Sequence, residues 1–161
     1  MARCLIIGCG CRGRLLAASL VERGHLVRGT TRDPDAVGAI AGAGAEPVLA
    51  DPDRVATLVE ALDHVSVVCV LLGSARGTSD QLAALHGTRL EMLLTKVVDT
   101  TARGVVYEAA GSVDPDVLRQ GADRVRAFGE RSLAQVELIE AGPGDHDAWL
   151  DAAVGAVEAV L

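Results

Sequence analysis

Aromatic residues and lysine are scarce in this chain of 161 residues, which has one Trp, one Tyr, one Phe and a single lysine, Lys96. So few aromatics exclude the stacking platform on which proteins hold single-stranded nucleic acid. The 15 basic residues are outnumbered by 22 acidic ones, which gives a formal net charge of −7. A chain with that balance offers no basic surface to a phosphate backbone, so nucleic acid is not expected as a partner.

Long apolar runs are also missing. No stretch approaches the roughly 20 residues that cross a membrane, and the apolar start is too short for a signal peptide and has no cleavage site. Cys9 and Cys11 lack metal-binding spacing, whereas Cys4 and Cys69 lie in apolar runs, which predicts buried thiols. We therefore expect a soluble, reduced, cytoplasmic protein that binds no metal.

Half of the chain is hydrophobic, which is enough for one folded domain over residues 1–161. Apolar runs of strand length alternate with segments of helical period, and this alternation predicts an α/β fold with a parallel sheet. Most runs are continuous, as expected for strands that helices cover on both faces. The runs lie at residues 4–8, 26–31, 47–51, 65–72, 105–110 and 136–141.

Pro47 opens the third run, and a proline is tolerated there only if that strand lies at an edge of the sheet. This agrees with a six-stranded sheet of order 3-2-1-4-5-6, in which strand 3 is an edge. We predict this order in a three-layer, doubly wound arrangement.

Proline, glycine and apolar spacing mark the expected helices. Asp33 and Asp114 each precede a proline and predict N-caps, and Gly24 predicts the end of the first helix. Three stripes at helical spacing predict buried faces. They are Val55, Leu58, Val59 and Leu62; Leu90, Leu93, Leu94, Val97 and Val98; and Leu150, Val154, Val157 and Leu161.

The first run leads into Gly8-Cys9-Gly10-Cys11-Arg12-Gly13, a G-x-G-x-x-G pattern, and then into a helical segment. Between a strand and a helix this pattern is typical of dinucleotide binding. Gly8 permits the turn, Gly10 lets a pyrophosphate approach the backbone, and Gly13 lets the helix pack on the strand. The free N–H groups of the helix would bind the phosphates. The alternative is a tight turn without a ligand.

The end of the second run indicates which dinucleotide is bound. An NAD site carries a carboxylate there for the ribose 2′-hydroxyl, whereas this run ends in Thr30, Thr31 and Arg32. Arg32 is suited to a 2′-phosphate, with a threonine hydroxyl beside it and Arg12 as a second cation. Asp33 would favour NAD if it stood at the strand tip, but we interpret it as a helix cap. We therefore predict NADP(H) in preference to NAD(H).

Together these segments resemble the atypical, extended-type short-chain dehydrogenase/reductases, which include the epimerase-like and NmrA-like proteins. The resemblance covers residues 4–141 and rests on LIIGCG at 5–10, GHLVRGTTR at 24–32, LAD at 49–51, DHVSVV at 63–68, HGTRL at 86–90 and RGVVY at 103–107. It implies a Rossmann fold that binds NAD(P), with Asp51 close to the adenine.

The carboxyl end of the fourth strand completes the expected cofactor site, because ligands of open α/β sheets collect at that edge. Arg76 and Ser79 follow it and are either ligand contacts or ordinary loop residues. The predicted cofactor-binding residues are Gly8, Gly10, Cys11, Arg12, Gly13, Thr30, Thr31, Arg32, Asp51, Leu72, Gly73 and Ser74.

The catalytic pair of that family is not matched. Its enzymes use Tyr-x-x-x-Lys on one helix, where the lysine lowers the pKa of the tyrosine. Here Tyr107 and Lys96 come in the reverse order on different elements, and Ser112 is the hydroxyl nearest to the family's helper position. We therefore assign no catalytic residue.

Other polar groups have simpler interpretations. Glu108 is a candidate acid/base, but a paired or rim carboxylate is favoured in a central strand. Asp145-His146-Asp147 is interpreted as a helix cap region rather than a metal site. Cys9 and Cys11 adjoin a helix N-terminus, which lowers thiol pKa values, so redox sensing remains an alternative.

The sequence stops after the sixth αβ unit, where the resembled enzymes add a substrate-binding lobe, so we expect a minimal form with an open nicotinamide. Trp149, Ala153, Val157 and Val160 are expected to face partly away from the sheet. We therefore predict a symmetric homodimer through the last helix or the helix at 90–98.

The leading hypothesis is a dinucleotide-binding or sensing module. The alternatives are an oxidoreductase or epimerase with substituted acid/base residues, whose substrate is not indicated, and a structural protein that has lost the ligand.

Overall fold

Six strands form one sheet in which every neighbouring pair is parallel, and with the strands numbered along the chain their order is 3-2-1-4-5-6. The predicted order is confirmed, and Pro47 lies in an edge strand. The computed structural model describes residues 1–161. Its strands are β1 Arg3–Ile7, β2 Leu26–Thr31, β3 Glu46–Leu49, β4 Val67–Val70, β5 Gly104–Glu108 and β6 Gln135–Ile139.

Helical segments connect the strands, as parallel neighbours require. A π-helical turn, Leu85–Arg89, joins the helix Ser79–Ala84 directly to the helix Leu90–Val98. The α-helices are α1 Cys11–Glu22, α2 Val37–Gly42, α3 Ser79–Ala84, α4 Leu90–Val98, α5 Pro115–Arg131 and α6 His146–Ala159.

The predicted helix ends are confirmed. The side chain of Asp33 caps the 3-10 turn Pro34–Ala36 that leads into α2, and that of Asp114 caps α5. Gly24 follows α1 with a φ of +88°, a conformation that costs glycine little.

Two apolar cores lie on opposite faces of the sheet, so the molecule has three layers. Along β1, Cys4 and Ile6 belong to the core under α1 and α6, whereas Leu5 and Ile7 belong to the core under α4 and α5. All four side chains are fully buried. A strand covered on both faces has no solvent side, which explains the continuous apolar runs of the sequence.

Three residues of the predicted buried stripes are exposed: Val59, Val98 and, at the end of the chain, Leu161. The segment expected as one helix forms the 3-10 turns Val55–Leu58 and Glu60–Leu62. Side chains three positions apart share a face in such turns, so Val59 leaves the stripe and is 45% exposed. Val98, which is 59% exposed, is the last residue of α4 and extends past the apolar layer. The predictions for Val59, Val98 and Leu161 are therefore wrong.

The orientation of α6 also differs from the prediction. Trp149, Ala153, Val157 and Val160 are all buried in the core, whereas Leu161 is exposed. Trp149 donates its indole N–H to a buried carboxylate, and this contact turns its face of the helix inward. The set expected to face partly away therefore supplies no partner surface.

None of the helices combines the length and the apolar character that crossing a bilayer requires.

Candidate functional site

The three glycines between β1 and α1 have different structural roles. Gly8 has a φ of +84°, and a Cβ there would lie 2.6 Å from the carbonyl oxygen of Leu71. A Cβ on Gly13 would lie 3.1 Å from the carbonyl oxygen of Gly8, so the close packing of α1 depends on glycine. Gly10, the exposed N-cap of α1, has no atom within 4 Å of its Cβ position. Gly8 and Gly13 are therefore required by close backbone packing in the fold, whereas Gly10 faces open space.

Thr30 connects this turn to β2 by two hydrogen bonds. The N–H of Gly8 donates to Thr30 Oγ1 over 3.2 Å, and the N–H of Cys9 donates to the Thr30 carbonyl over 2.9 Å. The Thr30 side chain is buried, so its first role is to position the backbone of the glycine turn.

The two cysteines of the turn differ in exposure. Cys9 is buried, and burial raises the pKa of its thiol to about 11. Burial thus disfavours the Cys9 thiolate, so the structure gives no support at Cys9 to the alternative of redox sensing. Cys11, the first residue of α1, is exposed.

A cleft of about 380 Å³ opens in front of Gly10, a volume within the range of small-molecule sites. Its walls are the glycine turn, the ends of β2 and β3, the loop after β4, and the segment from α3 into the π-helical turn. Half of the predicted cofactor contacts line it: Gly8, Gly10, Thr30, Thr31, Arg32 and Leu72.

Positive charge dominates this cleft. Arg14, Arg32 and Arg76 line it, and none of their side chains forms an ion pair or a hydrogen bond within the chain. Two carboxylates, Asp33 and Asp53, also line the cleft, but that of Asp33 accepts the N–H of Asp35 as a cap. Three unpaired guanidinium groups in a chain of net charge −7 make the cleft suited to an anion.

Asp51 does not line the cleft, although its neighbours Ala50, Pro52 and Asp53 do. Its carboxylate accepts the N–H of Asp53 over 2.9 Å, and its own N–H donates to Thr57 Oγ1 over 2.8 Å. Asp51 therefore shapes the turn after β3, and Asp53 is the carboxylate that faces a ligand.

Arg12 points away from the cleft, contrary to the expectation that it is a second cation for the 2′-phosphate. Its Nη2 donates to Glu108 Oε2 over 3.1 Å and to Ser74 Oγ over 3.3 Å. Its guanidinium carbon lies 5.5 Å from the ring centre of Trp149, and its Nε–H is buried without an acceptor. Arg14, half a turn further along α1, takes the place expected for Arg12 at the cleft.

Glu108 is the centre of this buried polar cluster. It is fully buried and accepts hydrogen bonds from Arg12, from Trp149 Nε1 over 2.9 Å and from the Gly73 N–H over 2.8 Å. The favoured interpretation of Glu108 as a paired carboxylate is confirmed. Its oxygens are occupied by three donors, which is the arrangement that makes a buried charge tolerable.

The loops that follow β4 and β5 are in backbone contact. A Cβ on Gly73 would overlap the carbonyl oxygen of Ala110, and a Cβ on Gly111 would overlap that of Gly73. The N–H of Val113 donates to the Gly73 carbonyl over 3.0 Å. Ser74 Oγ accepts the N–H of Ser112 over 3.2 Å, so both of these hydroxyl-bearing residues belong to the loop contact.

Tyr107 and Lys96 lie on different elements, and one is buried whereas the other is exposed. Tyr107 is buried in β5, where its hydroxyl is 2.7 Å from His86 Nδ1, and burial raises the pKa of its phenol. The other ring nitrogen of His86 is 3.0 Å from the Leu72 carbonyl. Lys96 is exposed on α4. The phenol therefore stays protonated and linked to a buried imidazole.

Asp145 caps α6 by accepting the N–H of Ala148 over 3.1 Å, which confirms its interpretation as a cap. No three His, Cys, Asp or Glu side chains gather anywhere in the chain in a way that would hold a metal ion.

Sequence reasoning missed Arg14, Asp53 and the partnership of Arg12, Glu108 and Trp149. The sequence did contain a signal for the contact between Trp149 and Glu108. Trp149 is the single tryptophan, a buried indole N–H needs an acceptor, and Glu108 is the carboxylate that interrupts an apolar run in the middle of the sheet.

Comparison with known proteins agrees with this geometry. A family model described as NAD(P)H-binding matches residues 8–159. No curated protein matches the sequence significantly.

Several solved structures are similar in fold. A short-chain dehydrogenase/reductase superfamily protein from Agrobacterium tumefaciens with bound NAD is 20% identical, has a TM-score of 0.70, and aligns over 84% of this chain and 48% of its own. UDP-glucose 4-epimerase from Thermotoga maritima is 10% identical, with a TM-score of 0.71 over 84% of this chain and 54% of its own.

A putative NAD-dependent epimerase/dehydratase from Bacillus halodurans is 18% identical, with a TM-score of 0.69 over 89% of this chain and 71% of its own. The chain thus spans about half the length of the first two structures. At these identities the likeness shows a shared Rossmann fold.

Proposed function

This chain belongs to the NAD(P)H-binding family, and on that premise we propose that it binds NADP(H) in preference to NAD(H). It acts as a dinucleotide-binding or sensing module, with residues 1–161 as one domain. The observation that carries the proposal is the cleft at Gly10 with its three unpaired arginines.

The residues of the cleft fit the adenosine half of the dinucleotide. The open space at Gly10 lets a pyrophosphate approach the N-terminus of α1, where free N–H groups and the helix dipole favour anions. Arg32 directly follows β2, where the ribose of a dinucleotide lies in this fold. The carboxylate beside it, Asp33, is engaged in capping the next turn through the N–H of Asp35, so Arg32 is the side chain there without a partner in the chain.

The environment of Tyr107 and Lys96 supports a binding role rather than the usual short-chain dehydrogenase mechanism. A buried phenol that is hydrogen-bonded to His86 and an exposed lysine on another element cannot exchange a proton with one substrate. When bound, the dinucleotide would supply hydride chemistry, but the usual tyrosine and lysine do not stand together beside it.

The test is a titration of the purified protein with NADPH and NADH, followed by nicotinamide fluorescence. We expect NADPH to bind more tightly by about 1.5–3 kcal/mol, the strength of a charge-assisted contact. Arg32→Ala should remove most of that difference and leave the NADH affinity nearly unchanged. Arg23→Ala is the matched control, since Arg23 lies at the far end of α1 and pairs with Glu158. Equal affinities for NADPH and NADH in the parent protein would refute the 2′-phosphate assignment.

We also propose the homodimer, with α4 as its interface rather than the last helix. Met92 and Val98 on this helix are 48% and 59% exposed, respectively, so α4 retains apolar surface for a second copy. Light scattering with in-line chromatography tests it. A mass near 16.6 kDa at every loading contradicts the dimer.

A further inference from the structure

We propose that His86 is a positioning residue for the nucleotide cleft, because its imidazole holds the loop after β4 in the conformation that directs Arg76 at the phosphates of the ligand. This inference rests on the proposed function and deepens it by adding a residue that touches no ligand. The observations that carry it are the hydrogen bonds on both sides of the His86 ring.

The loop after β4 supplies one wall of the cleft, and its conformation depends on the carbonyl of Leu72. Leu72, Ala75 and Arg76 all line the cleft. The Leu72 carbonyl accepts the N–H of Ala75 over 3.2 Å and lies 3.0 Å from His86 Nε2. These two contacts hold the turn from which Arg76 projects.

Arg76 depends on this turn because little else holds its backbone. The N–H groups of Arg76 and Gly77 form no backbone hydrogen bond. The next fixed point along the chain is Thr78, which begins the helix Ser79–Ala84 with a capping box. The direction of Arg76 is therefore set by the two ends of a short segment, and the Leu72 carbonyl is one of them.

The position of the proton on the His86 ring follows from its two neighbours. A backbone carbonyl can only accept, so Nε2 carries the proton and donates to Leu72. In a neutral imidazole the other nitrogen is an acceptor, so Nδ1 accepts the hydroxyl of Tyr107 over 2.7 Å. Burial lowers the pKa of His86 from its usual 6.5, although the hydrogen bond to Leu72 opposes this effect, so the ring is neutral at pH 7.

The surroundings of His86 leave its ring one orientation. His86 is 2% exposed, and its ring meets the edge of the fully buried Tyr107 ring with the two centroids 5.8 Å apart. A Cβ on Gly121 would overlap the Tyr107 hydroxyl, so α5 packs directly against that group. His86 also lies in the π-helical turn Leu85–Arg89, a geometry that is frequent at functional sites. A ring held in this way fixes the Leu72 carbonyl rather than adjusting to it.

The experiment is a double-mutant cycle on the full chain, with the dissociation constant of NADPH as its readout. Arg76→Ala should raise this constant about tenfold, as expected for the loss of one charge-assisted contact. His86→Leu removes the N–H that reaches Leu72 and should raise the constant by about the same factor. In the double variant the constant should lie within about twofold of that of Arg76→Ala, because His86 acts through Arg76.

Two control variants separate positioning from stability. His86→Gln offers an amide N–H to the Leu72 carbonyl and should bind NADPH within about threefold of the parent protein. Val97→Ala truncates another buried residue of the same helical segment, so it should lower the Tm in circular dichroism melts and leave the NADPH affinity parental. If His86→Leu does not fold, Tyr107→Phe, which removes only the donor to Nδ1, replaces it in the cycle with the same expected dependence on Arg76.

The tautomer of His86 supplies a readout that needs no nucleotide. Nitrogen-15 NMR of the ligand-free protein should show His86 with its proton on Nε2 at neutral pH, and a proton on Nδ1 would overturn the inference. Parental NADPH affinity in folded His86→Leu, or a loss that adds fully to that of Arg76→Ala, would also overturn it and leave the proposed function intact. If the parent protein binds neither NADPH nor NADH, the proposed function fails and the role of His86 fails with it.

Discussion

Replacement of Gly10 by valine should separate ligand binding from folding. The backbone of Gly10 has φ −82°, a negative value that residues with a side chain can adopt, and no atom lies within 4 Å of the new Cβ. The remaining cost is that of a poor N-cap, about 1 kcal/mol. For a chain of this length that corresponds to a fall of roughly 2–4 °C in the Tm.

The effect on binding should be much larger. The valine side chain occupies the space through which a pyrophosphate approaches the N-terminus of α1. Loss of two charge-assisted hydrogen bonds from backbone N–H groups, at about 1.5–3 kcal/mol each, weakens binding by about 3–6 kcal/mol. This is at least about a hundredfold in the dissociation constant of NADPH.

Circular dichroism melts measure the fold, and titration with NADPH measures the site. Gly144→Val is the matched control, since Gly144 is another exposed loop glycine with no atom within 4 Å of its Cβ position and does not line the cleft. This control should bind NADPH like the parent protein. Parental NADPH affinity in a folded Gly10→Val protein would show that the nucleotide does not lie at this turn.

Three further predictions concern the fold. Gly121→Ala in α5 places a methyl group on the hydroxyl of Tyr107 and should lower the free energy of unfolding by about 1–3 kcal/mol. Gly155→Ala in α6 adds a methyl group that has no atom within 4 Å, so it should raise the free energy of unfolding by about 0.5–1 kcal/mol. Equal effects of the two substitutions in urea denaturation would contradict this prediction. In the native protein only Cys11 is exposed, so Ellman's reagent should titrate one thiol before unfolding and four after it, and a second fast thiol would contradict the burial. Burial lowers the pKa of His86 from its usual 6.5, so the unfolded chain binds this proton more readily than the folded one, and stability should fall as the pH drops below about 6.5. His86→Gln should show a smaller loss between pH 7.5 and 5.5 in denaturant titrations, and an unchanged loss would count against His86 as the source.

The architecture was predictable from the sequence because its determinants are local or repeat along the chain. Continuous apolar runs predicted strands buried on both faces, and Pro47 predicted which strand is an edge. The glycine pattern predicted the turn at Gly8, since a positive φ and a close packing distance depend on the backbone of a few neighbouring residues. The caps at Asp33 and Asp114 are local for the same reason.

The direction of individual side chains at the site was decided by the tertiary structure. Arg12 and Arg14 are equivalent in the sequence as cations beside the glycine turn, yet Arg12 is drawn to Glu108 and Trp149, which are 96 and 137 positions further along the chain. The face of α6 that is buried depends on the same contact, because the indole N–H of Trp149 needs Glu108 as its acceptor. Residue types and spacing therefore predicted the cleft at the glycine turn. Which arginine faces this cleft follows from the need of one buried carboxylate for partners that only the folded chain brings together.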